Sequence, residues 1–179
     1  MRRINEIGSQ ELRWVQPSVR QSTYELRAGD EVVAALRWQK ACGSLADATT
    51  EDHHWTFKRT GFWHPRVTVR VPGSDADVAI FTARWTGTGT LELPSERRFH
   101  WGAANAWQSQ WAWQDTEGAP LVLFKGRQGL AKVEGQVEIT PAAAALPELD
   151  LLVTLGWYLV VLRARENAAA AGAVVVVTS

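Results

Sequence analysis

Residues 149–162 read LDLLVTLGWYLVVL. Wound on a helix at about 100° per residue, they carry apolar side chains around nearly the whole circumference. Only Asp150 and Thr154 share a polar sector, with Val161 between them. A helix that is apolar on every side must be buried on every side, in lipid or in protein. These fourteen residues rise about 21 Å, short of the roughly 20 residues that a bilayer core demands. The stretch is therefore expected inside the protein, with no transmembrane span, and the rest of the chain must surround it. Pro147 suits a first helical position, while Glu148 and Asp150 sit at the positive end of the helix dipole and Arg163 and Arg165 near the negative end. The central helix is expected at about 147–165.

Upstream, from Leu12 to Thr140, short apolar alternations are broken by Gly, Pro, Asp and Ser, the pattern of many antiparallel strands. Residues 22–27 and 31–38 flank Ala28-Gly29-Asp30, a hairpin turn. Residues 41–50 read as a small-residue loop, and 53–60 as a strand with Trp55 and Phe57 on one face. Val67, Val69 and Val71 alternate with Arg66, Thr68 and Arg70, so the valines are expected inward and the arginines outward. The chain returns through 78–85, pairs 90–93 with 98–101, and puts Trp111 and Trp113 on one face of a strand over 108–114. A strand at 121–125 follows, and 129–133 with 136–140 read as the last pair.

About twelve strands thus precede the helix, with no linker between them. So many short strands need closure to remove their edges, and twelve closing on themselves leave more room than their own side chains fill. An apolar helix is the natural plug. A wall of seven-residue strands tilted about 40° is roughly 18 Å high, close to the helix length. The fold class expected is mainly β: a closed antiparallel barrel of about twelve strands enclosing a hydrophobic helix. In domain terms, 1–10 is an N-terminal extension, 11–166 a single barrel and 167–179 a loosely held, low-complexity tail.

A run of a dozen strands ending in Gly156-Trp157-Tyr158 within an apolar helix resembles the tubby C-terminal-like superfamily, which includes the LURP-one-related proteins and the phospholipid scramblases. The aromatic strand Trp55-Thr56-Phe57-Lys58-Arg59 and Thr90-Leu91-Glu92-Leu93 belong to the same likeness, which spans Leu12 to Arg165. The resemblance implies a closed twelve-stranded barrel around a central helix. The chain departs from the scramblases in lacking a proline-rich N-terminal arm, a cysteine cluster and an acidic calcium loop. Scramblase activity is not implied.

Composition narrows the function classes. Among 179 residues, 19 Lys and Arg balance 19 Asp and Glu, so no global field attracts nucleic acid or membrane. Cys42 is the one cysteine, which excludes an intrachain disulfide and a four-thiolate zinc site. The N-terminus has no apolar signal region, and a cytoplasmic location, peripheral to membrane at most, is expected. His53 and His54 point to opposite faces of a regular strand, so no metal site is expected. Neither Cys42-Gly43-Ser44 nor Thr86-Gly87-Thr88-Gly89 has the surroundings of a nucleophile or a phosphate loop. No catalytic residue and no cofactor are assigned. The ten tryptophans read as core and wall, because 101–115 carries no Lys or Arg to make a nucleic-acid stacking platform.

One asymmetry remains. Between Trp55 and Val71 there are four cations, Lys58, Arg59, Arg66 and Arg70, and no acid. These form the candidate site for an anionic ligand, an anionic phospholipid or membrane surface foremost. The alternative is a structural or protein-interaction module that binds no lipid.

Overall fold

The computed structural model describes residues 1–8, 10–18, 21–40, 43–61, 63–105, 109–128 and 133–177. Twelve strands follow one another: β1 (Leu12–Val15), β2 (Thr23–Ala28), β3 (Glu31–Trp38), β4 (Ala46–Thr49), β5 (His54–Thr60) and β6 (Arg66–Arg70). Then come β7 (Asp77–Ala83), β8 (Gly89–Glu92), β9 (Arg98–Ala103), β10 (Gln110–Gln114), β11 (Pro120–Gln128) and β12 (Val133–Ile139). A one-turn helix α1 (Pro141–Ala144) leads into the long helix α2 (Leu149–Val177). Each strand pairs antiparallel with its neighbours in the chain, and β1 closes the ring on β12 through Leu12↔Val137, Arg13↔Gln136 and Trp14↔Gly135. Closure leaves no free edge, as anticipated.

Alternate turns gather at opposite ends of the barrel. The β2–β3, β4–β5, β6–β7, β8–β9 and β10–β11 turns define a lower end, the other connections an upper end. α2 enters from below and rises through the lumen. Every residue from Leu151 to Tyr158 is buried, with Leu152, Val153, Leu155, Trp157 and Tyr158 fully so. That is the all-round burial its sequence demands. At the lower end Arg97 Nη1 donates to Glu148 Oε1 at 2.8 Å, and Thr50 Oγ1 donates to Asp150 Oδ2 at 2.8 Å. At the upper end the Tyr158 hydroxyl donates to the Ser44 carbonyl at 2.6 Å, and Arg165 Nη2 donates to Ser22 Oγ at 2.8 Å. Both ends of the plug are tied to the rim.

Aromatic rings fill the space between helix and wall. Trp14 stacks on Trp157 and Trp38 on Tyr158, with centroids 5.7 and 5.2 Å apart. Across the lumen, Trp101 stacks on Trp111 and meets Trp113 and Phe124. Among the described residues tryptophan is thus mainly core material, with Trp63 and Trp85 the exceptions at 85% and 96% exposure.

Four expectations are corrected. The stretch 41–50, read as a loop, contains β4, whose Ala46 and Ala48 are fully buried. Gln136 does not pair back onto 129–133: residues 133–139 are one strand, paired with β11 and β1, and 129–132 lie outside the described residues. Val71 is 46% exposed, because β6 ends at Arg70 and a bulge between Val69 and Arg70 breaks the alternation. The helix does not stop near 165 but continues to Val177, with Glu166 to Ala171 exposed above the rim. Alanine-rich sequence favours that continuation, since alanine is the best helix former. Residues 1–8 fold back over the lower end: Ile4 and Ile7 are buried, and Arg3 pairs with Asp52 at 2.8 Å. Among the described residues no helix is long and apolar enough to cross a membrane.

Candidate functional site

The basic segment lies on β5 and β6, and the pleat divides its four cations. Trp55 and Phe57 are buried in the lumen, so Arg59, two residues further, shares their inward parity. Arg59 stands at the upper end and pairs with Glu166 of α2. Lys58, Arg66 and Arg70 face outward. On that face Lys58 is opposite Thr68, Thr60 opposite Arg66 and Thr56 opposite Arg70. The lysine therefore sits diagonally between the two arginines, within reach of a common ligand. The candidate set of four becomes a set of three.

Those three differ in their neighbours. Arg70 Nε donates to Asp77 Oδ1 at 2.6 Å across the β6–β7 pair, and the carboxylate raises the guanidinium pKa further above its ordinary value. Lys58 and Arg66 are exposed and form no ion pair among the described residues. The arginines of the neighbouring hairpins add nothing to this face. Arg97 holds Glu148 at the lower end, Arg98 pairs with Glu92 on the outer wall, and Arg84 stands at the upper end.

The β5–β6 connection turns the face into a groove of about 570 Å³. Gly61 adopts φ 83°, and a Cβ there would lie 2.5 Å from the His64 carbonyl oxygen, so the turn requires glycine. The turn is pinned to β7 by the Ala83 N–H, which donates to the Pro65 carbonyl at 2.9 Å. It projects Trp63 and His64 beside Lys58, Thr60 and Arg66. Sequence reasoning missed both side chains. Their signal was present: a tryptophan between Gly61 and Pro65 sits in a turn and has no core to enter.

The remaining polar cluster is at the lower end. Thr50 Oγ1 and His53 Nδ1 both meet Asp150 Oδ2, at 2.8 and 3.3 Å, and His53 stacks on Trp55. The carboxylate stands between hydroxyl and imidazole. A nucleophile–base–orienter relay needs the imidazole in the middle, so this group serves instead to anchor the helix entrance. Among the described residues no three His, Cys, Asp or Glu side chains gather to hold a metal ion. Cys42 lies outside the described residues. Comparison of the chain with protein-family models, curated proteins and solved structures finds no match, so the site is read from its own geometry.

Proposed function

We propose that this chain is a non-enzymatic binding module of tubby-like type, a plugged barrel that engages an anionic membrane surface through the outer groove of β5 and β6. The observation carrying this reading is the pairing of Lys58 and Arg66, exposed and without acid partners among the described residues, with the projecting indole of Trp63. Cations gain about 1 kcal/mol each near an anionic leaflet, and tryptophan favours the headgroup level, where its ring is apolar on one side and wet on the other. The wall presents both cations and the pinned turn holds the indole beside them, so little ordering cost accompanies docking.

Vesicle sedimentation tests it. Wild-type protein is expected to pellet with phosphatidylserine-containing vesicles and not with phosphatidylcholine alone, and to do so less as salt approaches physiological strength, where the Debye length is about 8 Å. Lys58→Gln with Arg66→Gln should weaken binding by roughly thirtyfold, from about 2 kcal/mol lost, at unchanged melting temperature. Arg70→Gln should matter less, because Asp77 already neutralises that side chain. A wild type that ignores anionic vesicles at low salt overturns the reading. The interaction-module alternative then leads, favoured by the 96% exposure of Trp85 at the barrel's upper end.

A further inference from the structure

The plug does not sit centrally. α2 packs chiefly against β3, β10, β11 and β12, and a gap remains between its upper turns and the wall from β6 to β11. A cavity of about 700 Å³ occupies the gap and opens at the upper rim. Two strands thin there along their inward parity. β7 runs Ala79, Phe81, Ala83 on its lumen face, and β11 runs Val122, Phe124, Gly126. Ala83 and Gly126 thus stand where core side chains would have filled the space.

We infer that this cavity is a binding site for a single-chain amphiphile with an anionic head group. Its floor is apolar: Leu159 and Leu162 of the helix line it, backed by Val67, Phe81, Trp101 and Trp111 of the strands, which are almost wholly buried. Its mouth carries Arg59, Arg84 and Arg163, and Glu166 is the one acid among its described lining residues. Glu166 is engaged by Arg59, and the Arg163 guanidinium lies 4.4 Å from the Trp111 ring centroid, held over the entrance. Arg84 is exposed on the β7–β8 turn beside Trp85, at the point where a head group would emerge. The volume falls within the roughly 300–1,000 Å³ of small-molecule sites, which combine apolar walls with a few placed polar groups. An acyl chain would replace the missing core side chains, with its carboxylate or phosphate at the arginines. This site is on the lumen side of the wall and does not depend on the outer groove.

The test is titration of the full chain with hexadecanoate and with hexadecyl phosphate, below their micelle concentrations, following its tryptophan emission. Saturable one-to-one binding is expected, weakening roughly tenfold for each two methylenes removed from the chain. Preference for carboxylate or for phosphate identifies the head group, and either supports the site. Gly126→Val and Ala83→Leu fill the cavity and should abolish binding. A Cβ on Gly126 would lie at an ordinary 3.8 Å from Val160 Cγ1. Arg84→Glu, at an exposed turn, should weaken both anions at least tenfold while sparing neutral hexadecanol, and it decides the matter if a filling variant fails to fold. Lys58→Gln with Arg66→Gln should bind the amphiphile as wild type does, which separates this site from the outer groove. Absence of saturable binding by either anion overturns the inference. So do folded filling variants that bind undiminished.

Discussion

The indole N–H of Trp113, on β10, donates a 2.7 Å hydrogen bond to the backbone carbonyl of Leu152, in the middle of α2. A wall side chain reaches a helix backbone only where the helix surface is bare, and Gly156 supplies the bare patch one turn above. A Cβ at Gly156 would lie 2.3 Å from Phe124 Cζ and 2.8 Å from Trp113 Nε1. The glycine costs about 1 kcal/mol in helix propensity, and the close approach of two aromatic rings offsets it.

Gly156→Ala is therefore expected to destabilise the protein by about 1–3 kcal/mol, although alanine is the better helix former. Urea denaturation measures it. An alanine variant as stable as wild type would mean that the rings move aside freely.

Trp14 and Trp157 join β1 to the plug, their planes within 1° of parallel. Replacing either with alanine should cost about 3–5 kcal/mol, the range for emptying a large core site. Because the two are in contact, the double variant should lose less than the sum of the singles, by about 0.5–1.5 kcal/mol. A double-mutant cycle in urea reads this directly, and strict additivity would show that the stack contributes only area.

Both tyrosines of the chain are buried, and burial raises both pKa values above the ordinary 10.0, Tyr158 strongly. Below pH 10 the phenols are protonated whether the chain is folded or not, and their linkage to stability is flat. Above it the unfolded chain releases protons that the folded chain keeps, so stability falls as pH rises from about 10 towards the folded values. An alkaline spectrophotometric titration should show tyrosinate appearing only with the unfolding transition. Tyr158→Phe should flatten part of the decline. Early, non-cooperative ionisation of both phenols would contradict their burial.

Just beyond Asn167, Ala168 to Ala171 of α2 are exposed. Truncation after Asn167 removes no described core side chain and should shift the melting temperature by no more than a few degrees. A thermal scan settles it, and a large fall would place the removed segment in a stabilising contact.

The helix was legible because its apolarity has no gap, and a helix with no polar face has only one kind of surroundings. The barrel was legible through turn chemistry and parity. β4 was not, since Ala46, Asp47, Ala48 and Thr49 lack the β-branched and aromatic residues that announce a strand. Its smallness has a reason visible only in three dimensions: Ala46 faces Trp38 on one side and Phe57 on the other, and Ala48 faces Trp55. Small residues make room for large neighbours. Reading 133–139 as parts of two strands offset the omission of β4, which is why the strand number came out near twelve. In the candidate site, Arg59 was grouped with Lys58, Arg66 and Arg70 by charge, when the period of two already set it with Trp55 and Phe57. Asp77 carries no mark of its role in the sequence, and only the β6–β7 register sets it against Arg70. The cavity had no sequence signature, because an empty volume depends on where the helix leans.

The order of wall before plug carries a consequence for biosynthesis. All twelve strands leave the ribosome before the helix that fills them, and β1 must wait for β12 to close the ring. Throughout that interval Trp14, Trp38, Trp101 and Trp113 have no helix to cover them. A growing chain in this state is a row of hairpins with one sticky side, and closure through such distant partners is slow. Its vulnerable moment is therefore translation itself, and the fate of the protein in the cell rests on whatever shields those rings until the last turns of α2 arrive.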